Sequence, residues 1–137
     1  MITLAQYVGP HAHSPDWTAP RQEAAVISLA VFAELEMEMT IDGVEFLDNP
    51  ATNSGVSGQT FGGFRPQDCS QGAPGSSHKE GTGVDRYDPH EAIDDWCMSH
   101  QDRLKVHGVY IEHSSKTKGW SHWTTRAPRS GNTVFMP

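Results

Sequence analysis

Cysteine is nearly missing from this chain. Cys69 and Cys97 are the only two among 137 residues, and they lack CxxC spacing. That argues against a thiolate zinc site and against a disulfide scaffold, so two free thiols are expected. Clusters of Lys and Arg are also missing, and the formal net charge is -7. Nucleic acid is therefore not an expected partner. No apolar run is long enough to span a bilayer. The longest, AAVISLAVFA at 24–33, is too short and is bracketed by charge. The N-terminal MITLAQYVGPHAH has no basic segment ahead of an apolar one, so no secretory signal is expected. These absences predict a protein made in the cytoplasm, acting there or, if released, in the periplasm.

What remains is ordinary for a globule: 36% hydrophobic and 20% charged residues. The length suits a single domain over 1–137, expected to be a monomer and large enough to bury a core without staples. Eight histidines are many for this length, and that excess is the first hint of metal chemistry.

Thr18 can cap a helix whose first turn tolerates Pro20. Ala24, Ile27, Val31, Leu35 and Met39 then recur at helical spacing. The ending ELEMEMT alternates and is also compatible with a strand turning at Asp42-Gly43; a helix to about residue 38 is favoured. Residues 49–83 are rich in Gly, Ser, Asn and Pro. A loop of that length inside a domain is either functional or disordered, and Phe61, Phe64 and Arg65 favour function. A short strand is expected over Gly83–Tyr87. Asp88-Pro89-His90-Glu91 reads as a helix start, with Asp88 at the N-cap and Glu91 reaching back. Ile93, Trp96, Cys97, His100 and Leu104 form the inner face of that helix, and Gly108 ends it. VYIEH (109–113) and WSHWTT (120–125) read as a hairpin around SSKTKG. The order of elements predicts an α+β domain with a small, mostly antiparallel sheet and flanking helices.

The chemistry concentrates in three residues. A catalytic zinc takes three protein ligands and keeps one position open. His78 and Asp85 can supply two, with Gly81 and Gly83 letting the intervening chain turn back like a hairpin. His122 can supply a third from a strand whose neighbours Ser121 and Trp123 point the other way. Spacing alone leaves two readings open, because lone histidines are usually surface or satisfied core residues.

Three ordered stretches add a resemblance. SSHKEGTGVD resembles the S-x-H-x-x-G-x-A-x-D motif of the D-alanyl-D-alanine zinc peptidases, whose fold is shared with the hedgehog signalling domain. Gly83 stands at the usual alanine, a mild change. GWSHW resembles that family's aromatic-flanked histidine on a late strand, and SGQTFGGFRP the segment carrying an arginine that faces the active site. With NPATNSGVSG and RAPRSGNTVFMP, the pattern resembles small phage and prophage members over roughly residues 40 to 137.

The resemblance implies zinc held by His78, Asp85 and His122, with Arg65 as a catalytic, substrate-facing cation. It implies hydrolysis of peptidoglycan stem or cross-link peptides, as carboxypeptidase or endopeptidase in phage lysis. Zinc there would activate water and polarise the scissile carbonyl, and Arg65 would stabilise an oxyanion or clamp a carboxylate. The chain departs from the family at one point: Gly119 stands where several members carry Glu, three residues before the last ligand. Glu112, on the preceding strand, is the expected catalytic base; a solvated strand carboxylate is the alternative. A catalytically inactive zinc-binding structural protein of the same fold is the alternative function. Ser77 is either a hydrogen-bond partner of the site or a loop cap. Trp96 is expected in the core, and Trp120 and Trp123 either shield the metal or pack in the sheet.

Overall fold

The computed structural model describes residues 1–47 and 61–137. The stretch NPATNSGVSG lies outside the described residues. Helices Leu4–Val8 (α1) and Ala19–Ile41 (α2) come first, with a 3-10 turn at Gly9–His11 between them. After the loop come Ser77–Glu80 (α3), Gly83–Asp88 (β1), Ala92–Ser99 (α4) and Gln101–His107 (α5). Strands Tyr110–Glu112 (β2), Gly119–Thr124 (β3) and Val134–Phe135 (β4) complete the chain. The architecture is α+β. The sheet runs β1-β3-β2-β4, antiparallel at β1/β3 and β3/β2 and parallel only at β2/β4.

Strand alternation gives this sheet two unlike faces. Val84 lies opposite Trp123, which lies opposite Ile111, and all three are fully buried. On that face Phe32 of α2 meets the Trp123 ring edge-on at 5.9 Å between centroids. The intervening positions carry Asp85 opposite His122 on the other face. The apolar face builds the core; the polar face is left for chemistry.

α2 differs from its expected phase. Ala25, Leu29, Phe32, Leu35 and Met39 are buried, whereas Ile27 is 58% exposed. Apolar residues stand on several sides of this helix, Val26 and Ile27 included, so spacing alone did not single out the inner stripe. The helix also runs through ELEMEMT to Ile41, so the strand alternative is excluded. Glu38, near its end, receives Arg103 at 2.5 and 2.8 Å and lies 2.7 Å from His107, tying α2 to α5. Arg103 holds the Glu38 carboxyl down at about 2.

The helix expected from Asp88 starts later. Pro89–Glu91 form a turn and the first helical residue is Ala92. Asp88 still caps it: Oδ1 accepts from Ile93 N at 3.1 Å and Oδ2 from Asp94 N at 2.9 Å. Glu91 does not reach back; it sits at φ 59 and pairs with Lys118. Nor is the helix continuous. It breaks at His100, whose ring stacks on Trp96 at 4.3 Å and whose Nδ1 lies 2.8 Å from Trp96 O. Trp96 is buried, as expected, with its indole N–H on Asp42 Oδ2. Both cysteines are free thiols.

Candidate metal centre

Asp85 and His122 are direct cross-strand partners in β1 and β3. Their side chains project from the polar face toward each other, and His122 Nδ1 lies 2.7 Å from Asp85 Oδ1. His78 arrives from α3. Its Nε2 lies 3.2 Å from Asp85 Oδ1 and 3.2 Å from His122 Nδ1. Ligands of a tetrahedral zinc at bond lengths of 2.0–2.1 Å stand roughly 3.3 Å apart. Two spacings match, and the third has the length of a charge-assisted hydrogen bond.

The return from His78 to Asp85 is not a hairpin. Ser76 Oγ accepts from His78 N to start the one-turn helix α3, and Gly81 ends it at φ +81. Gly81 has a second constraint, since a Cβ there would lie 2.6 Å from Arg21 O of α2. Gly83 has a different reason. It lies in extended β1, and a Cβ there would lie 2.2 Å from Ser77 Oγ. An alanine at this position would collide with Ser77.

The remaining ring atoms decide which nitrogens are free. His78 Nδ1 donates to Gly63 O at 2.8 Å, which leaves the Nε2 lone pair pointing at the other two ligands. Ser77 Oγ lies 3.3 Å from His122 Nε2, leaving Nδ1 for the centre. Burial pushes the His78 pKa down, only partly opposed by Asp85, so the ring is held neutral. Burial alone would raise the Asp85 carboxyl, but His78 and His122 hold it far below its ordinary range. Two imidazoles and one carboxylate, oriented through their outer atoms, make a donor set suited to a metal ion. These residues can hold a metal ion.

These three side chains open into a cleft of about 1020 Å³, bordered also by Arg65, Glu112 and Trp120. Arg65 is buried, with Nη2 donating to Asp85 Oδ2 at 3.1 Å and Nε to Phe61 O at 2.5 Å. The β2/β3 register, Tyr110 with Thr124 and Ile111 with Trp123, continues by one residue to set Glu112 across from His122. Burial raises the Glu112 pKa, with His122 pulling it back. His113 is held aside by Ser115. Trp123 is core and its indole N–H donates to Ser121 Oγ, while Trp120 borders the cleft. Gly119 takes φ +90, a conformation that disfavours any glutamate at that position.

Several participants carry no sequence signal. Gly63 acts through its carbonyl, and Gly62 O likewise accepts from Asp85 N at 2.8 Å. Tyr7 is fully buried and its hydroxyl donates to Gly83 O at 2.8 Å, tying α1 to the back of β1. Buried Lys79 donates to Gln67 O and Cys69 O, fastening the loop before the site.

No protein-family model matches this chain, and no curated protein or solved structure gives a significant match.

Proposed function

We propose that this chain is a zinc-dependent peptidase of the D-alanyl-D-alanine peptidase type, cleaving peptidoglycan stem or cross-link peptides in phage lysis. The observation that carries the reading is the convergence of His78 Nε2, Asp85 Oδ1 and His122 Nδ1 beneath a cleft that Glu112 and Arg65 also border. The ordered motifs around these ligands support the substrate class. Zinc bound there would supply a Lewis acid for the scissile carbonyl and an acidified water. Glu112, kept basic enough by burial, takes a proton from the attacking water and passes it to the leaving amine nitrogen. Arg65 orients Asp85 through Nη2 and turns positive charge toward the developing oxyanion. Trp120 covers part of the cleft and limits bulk water.

The test is product analysis by mass spectrometry of purified cell walls incubated with zinc-loaded protein, with and without chelator. Released D-alanine or shortened cross-links, lost on chelation and reduced at least a hundredfold by Glu112→Gln, are expected. Intact walls with zinc-loaded protein overturn the reading.

Gly119 favours a second reading, a zinc-binding phage structural or binding protein of the same fold without catalysis. One zinc per chain combined with no cleavage of any wall would select it.

A further inference from the structure

Among the described residues, the cleft gathers cations out of proportion to the chain. The sequence has 10 Lys and Arg against 17 Asp and Glu. The cleft is nevertheless bordered by Arg65, Arg126 and Arg129, against Asp85 and Glu112. An acidic protein with positive charge concentrated at its ligand-holding cleft is suited to an anionic ligand.

The three arginines are not equivalent. Arg65 is buried and spends Nε and Nη2 on Phe61 O and Asp85. Arg126 is paired, Nη1 lying 2.6 Å from Glu80 Oε2. Arg129 is exposed and has no hydrogen bond or ion pair among the described residues. Its backbone is nonetheless fixed. Gly131 N donates to Pro128 O at 2.9 Å, closing a turn whose last residue sits at φ +71. On either side of that turn, Arg126 N donates to Thr124 Oγ1 and Ile111 N to Thr133 O. An uncommitted guanidinium on an anchored turn offers a planar fork that fits a carboxylate with two parallel hydrogen bonds.

We infer that Arg129 is a specificity-determining residue that takes a carboxylate of the ligand in this cleft, and that the preferred substrates end in a free C-terminal carboxylate. The substrate half rests on the peptidase reading; the carboxylate site does not. In such a substrate the carboxylate lies one residue beyond the scissile carbonyl. A guanidinium at the rim of the same cleft can hold it while the carbonyl faces the ligands. This selects carboxypeptidase over endopeptidase cleavage.

The test is calorimetric titration with N-acetyl-D-alanine and with its C-terminal amide. It is run on zinc-loaded protein and repeated on metal-free protein, so that carboxylate binding to metal is told apart. The acid is expected to bind about tenfold more tightly than the amide in both forms, and Arg129→Ala to abolish the metal-free preference. Arg129→Lys, which keeps the charge but not the fork, is expected to retain part of it. Equal affinity for acid and amide in metal-free wild type, or an undiminished preference in Arg129→Ala, overturns the carboxylate site. A larger loss in Arg126→Ala than in Arg129→Ala overturns the assignment to Arg129. Hydrolysis of acyl-D-alanyl-D-alanine against its amide is a separate arm. Selective binding without cleavage of either overturns the peptidase reading and the substrate half, while the carboxylate site stands. Equal kcat/KM for acid and amide overturns the substrate half alone.

Discussion

An alanine at position 83 must displace Ser77, and Ser77 is the hydroxyl beside His122 Nε2. The collision reaches Ser77 Cβ as well, at 2.9 Å, so rotation of the hydroxyl does not relieve it. Gly83→Ala is expected to lower zinc affinity 10–100-fold, roughly the effect of losing a partner behind a ligating histidine. Competition with a chromophoric chelator measures it. The double variant Gly83→Ala/Ser77→Gly should recover thermal stability without recovering affinity; unchanged affinity in the single variant would refute the argument. Asp94 provides the second residue-scale prediction. It is buried, Oδ2 accepts from Thr117 Oγ1 at 2.9 Å, and Oδ1 has no partner among the described residues. Burial pushes its pKa from 3.8 up to about 6, against the pull of the Ser121 and Thr117 hydroxyls. A carboxyl raised on folding contributes stability below pH 3.8 that is lost as pH rises through about 6. Asp94→Asn should therefore flatten the decline across that window, as read from urea midpoints at several pH values. Parallel pH profiles for the two proteins would show that Asp94 is not the group responsible.

Among the elements, α4 depends on one side chain that is not its nearest neighbour. Asp88 belongs to β1, is buried, and accepts two backbone N–H groups of the first helical turn. Asp88→Ala leaves those donors unpaired in the interior and should cost about 1–3 kcal/mol, measured by denaturant unfolding. A loss below about 0.5 kcal/mol, within the range of surface substitutions, would show that other groups take over the cap. The sequence announced this cap but not its geometry, because an aspartate before Pro89 reads the same whether one or four residues precede the helix. The break at His100 was not legible. It has neither Gly nor Pro; there the His100 ring nitrogen takes Trp96 O and the His100 backbone N–H turns to Cys97 O. α1 was legible in principle: Thr3 and Gln6 form a capping box, Gln6 N donating to Thr3 Oγ1 at 3.1 Å. Its five residues were too few to show periodicity.

Across the whole molecule, His78, Asp85 and His122 stood out in the sequence through the stretches around them, and the β1/β3 register brings two of them face to face. Gly63 and Tyr7 were not. One acts through its backbone, and the other meets Gly83 across 76 positions of chain. No helix in the described residues is long and apolar enough to cross a membrane. Zinc that binds only the folded chain must stabilise it by mass action. At a thousandfold excess over Kd the gain is about 4 kcal/mol, or roughly 10 °C in Tm for a chain of this size. His78→Ala should abolish that shift in a thermal melt with and without zinc. A wild-type Tm indifferent to zinc would exclude a centre at these residues.

His78 and His122 lie 44 positions apart. A metal joining them acts as a covalent-like clasp on the chain, and closing a loop of that length restricts the disordered chain by about 4 kcal/mol. The segment between them includes exposed Lys116 and Lys118 on the connection from β2 to β3. A protease cut there leaves each piece holding part of the centre: His78 and Asp85 on one, His122 on the other. The nicked protein should therefore migrate as one particle in zinc and separate into two when the zinc is stripped, making peptide association itself a gauge of occupancy.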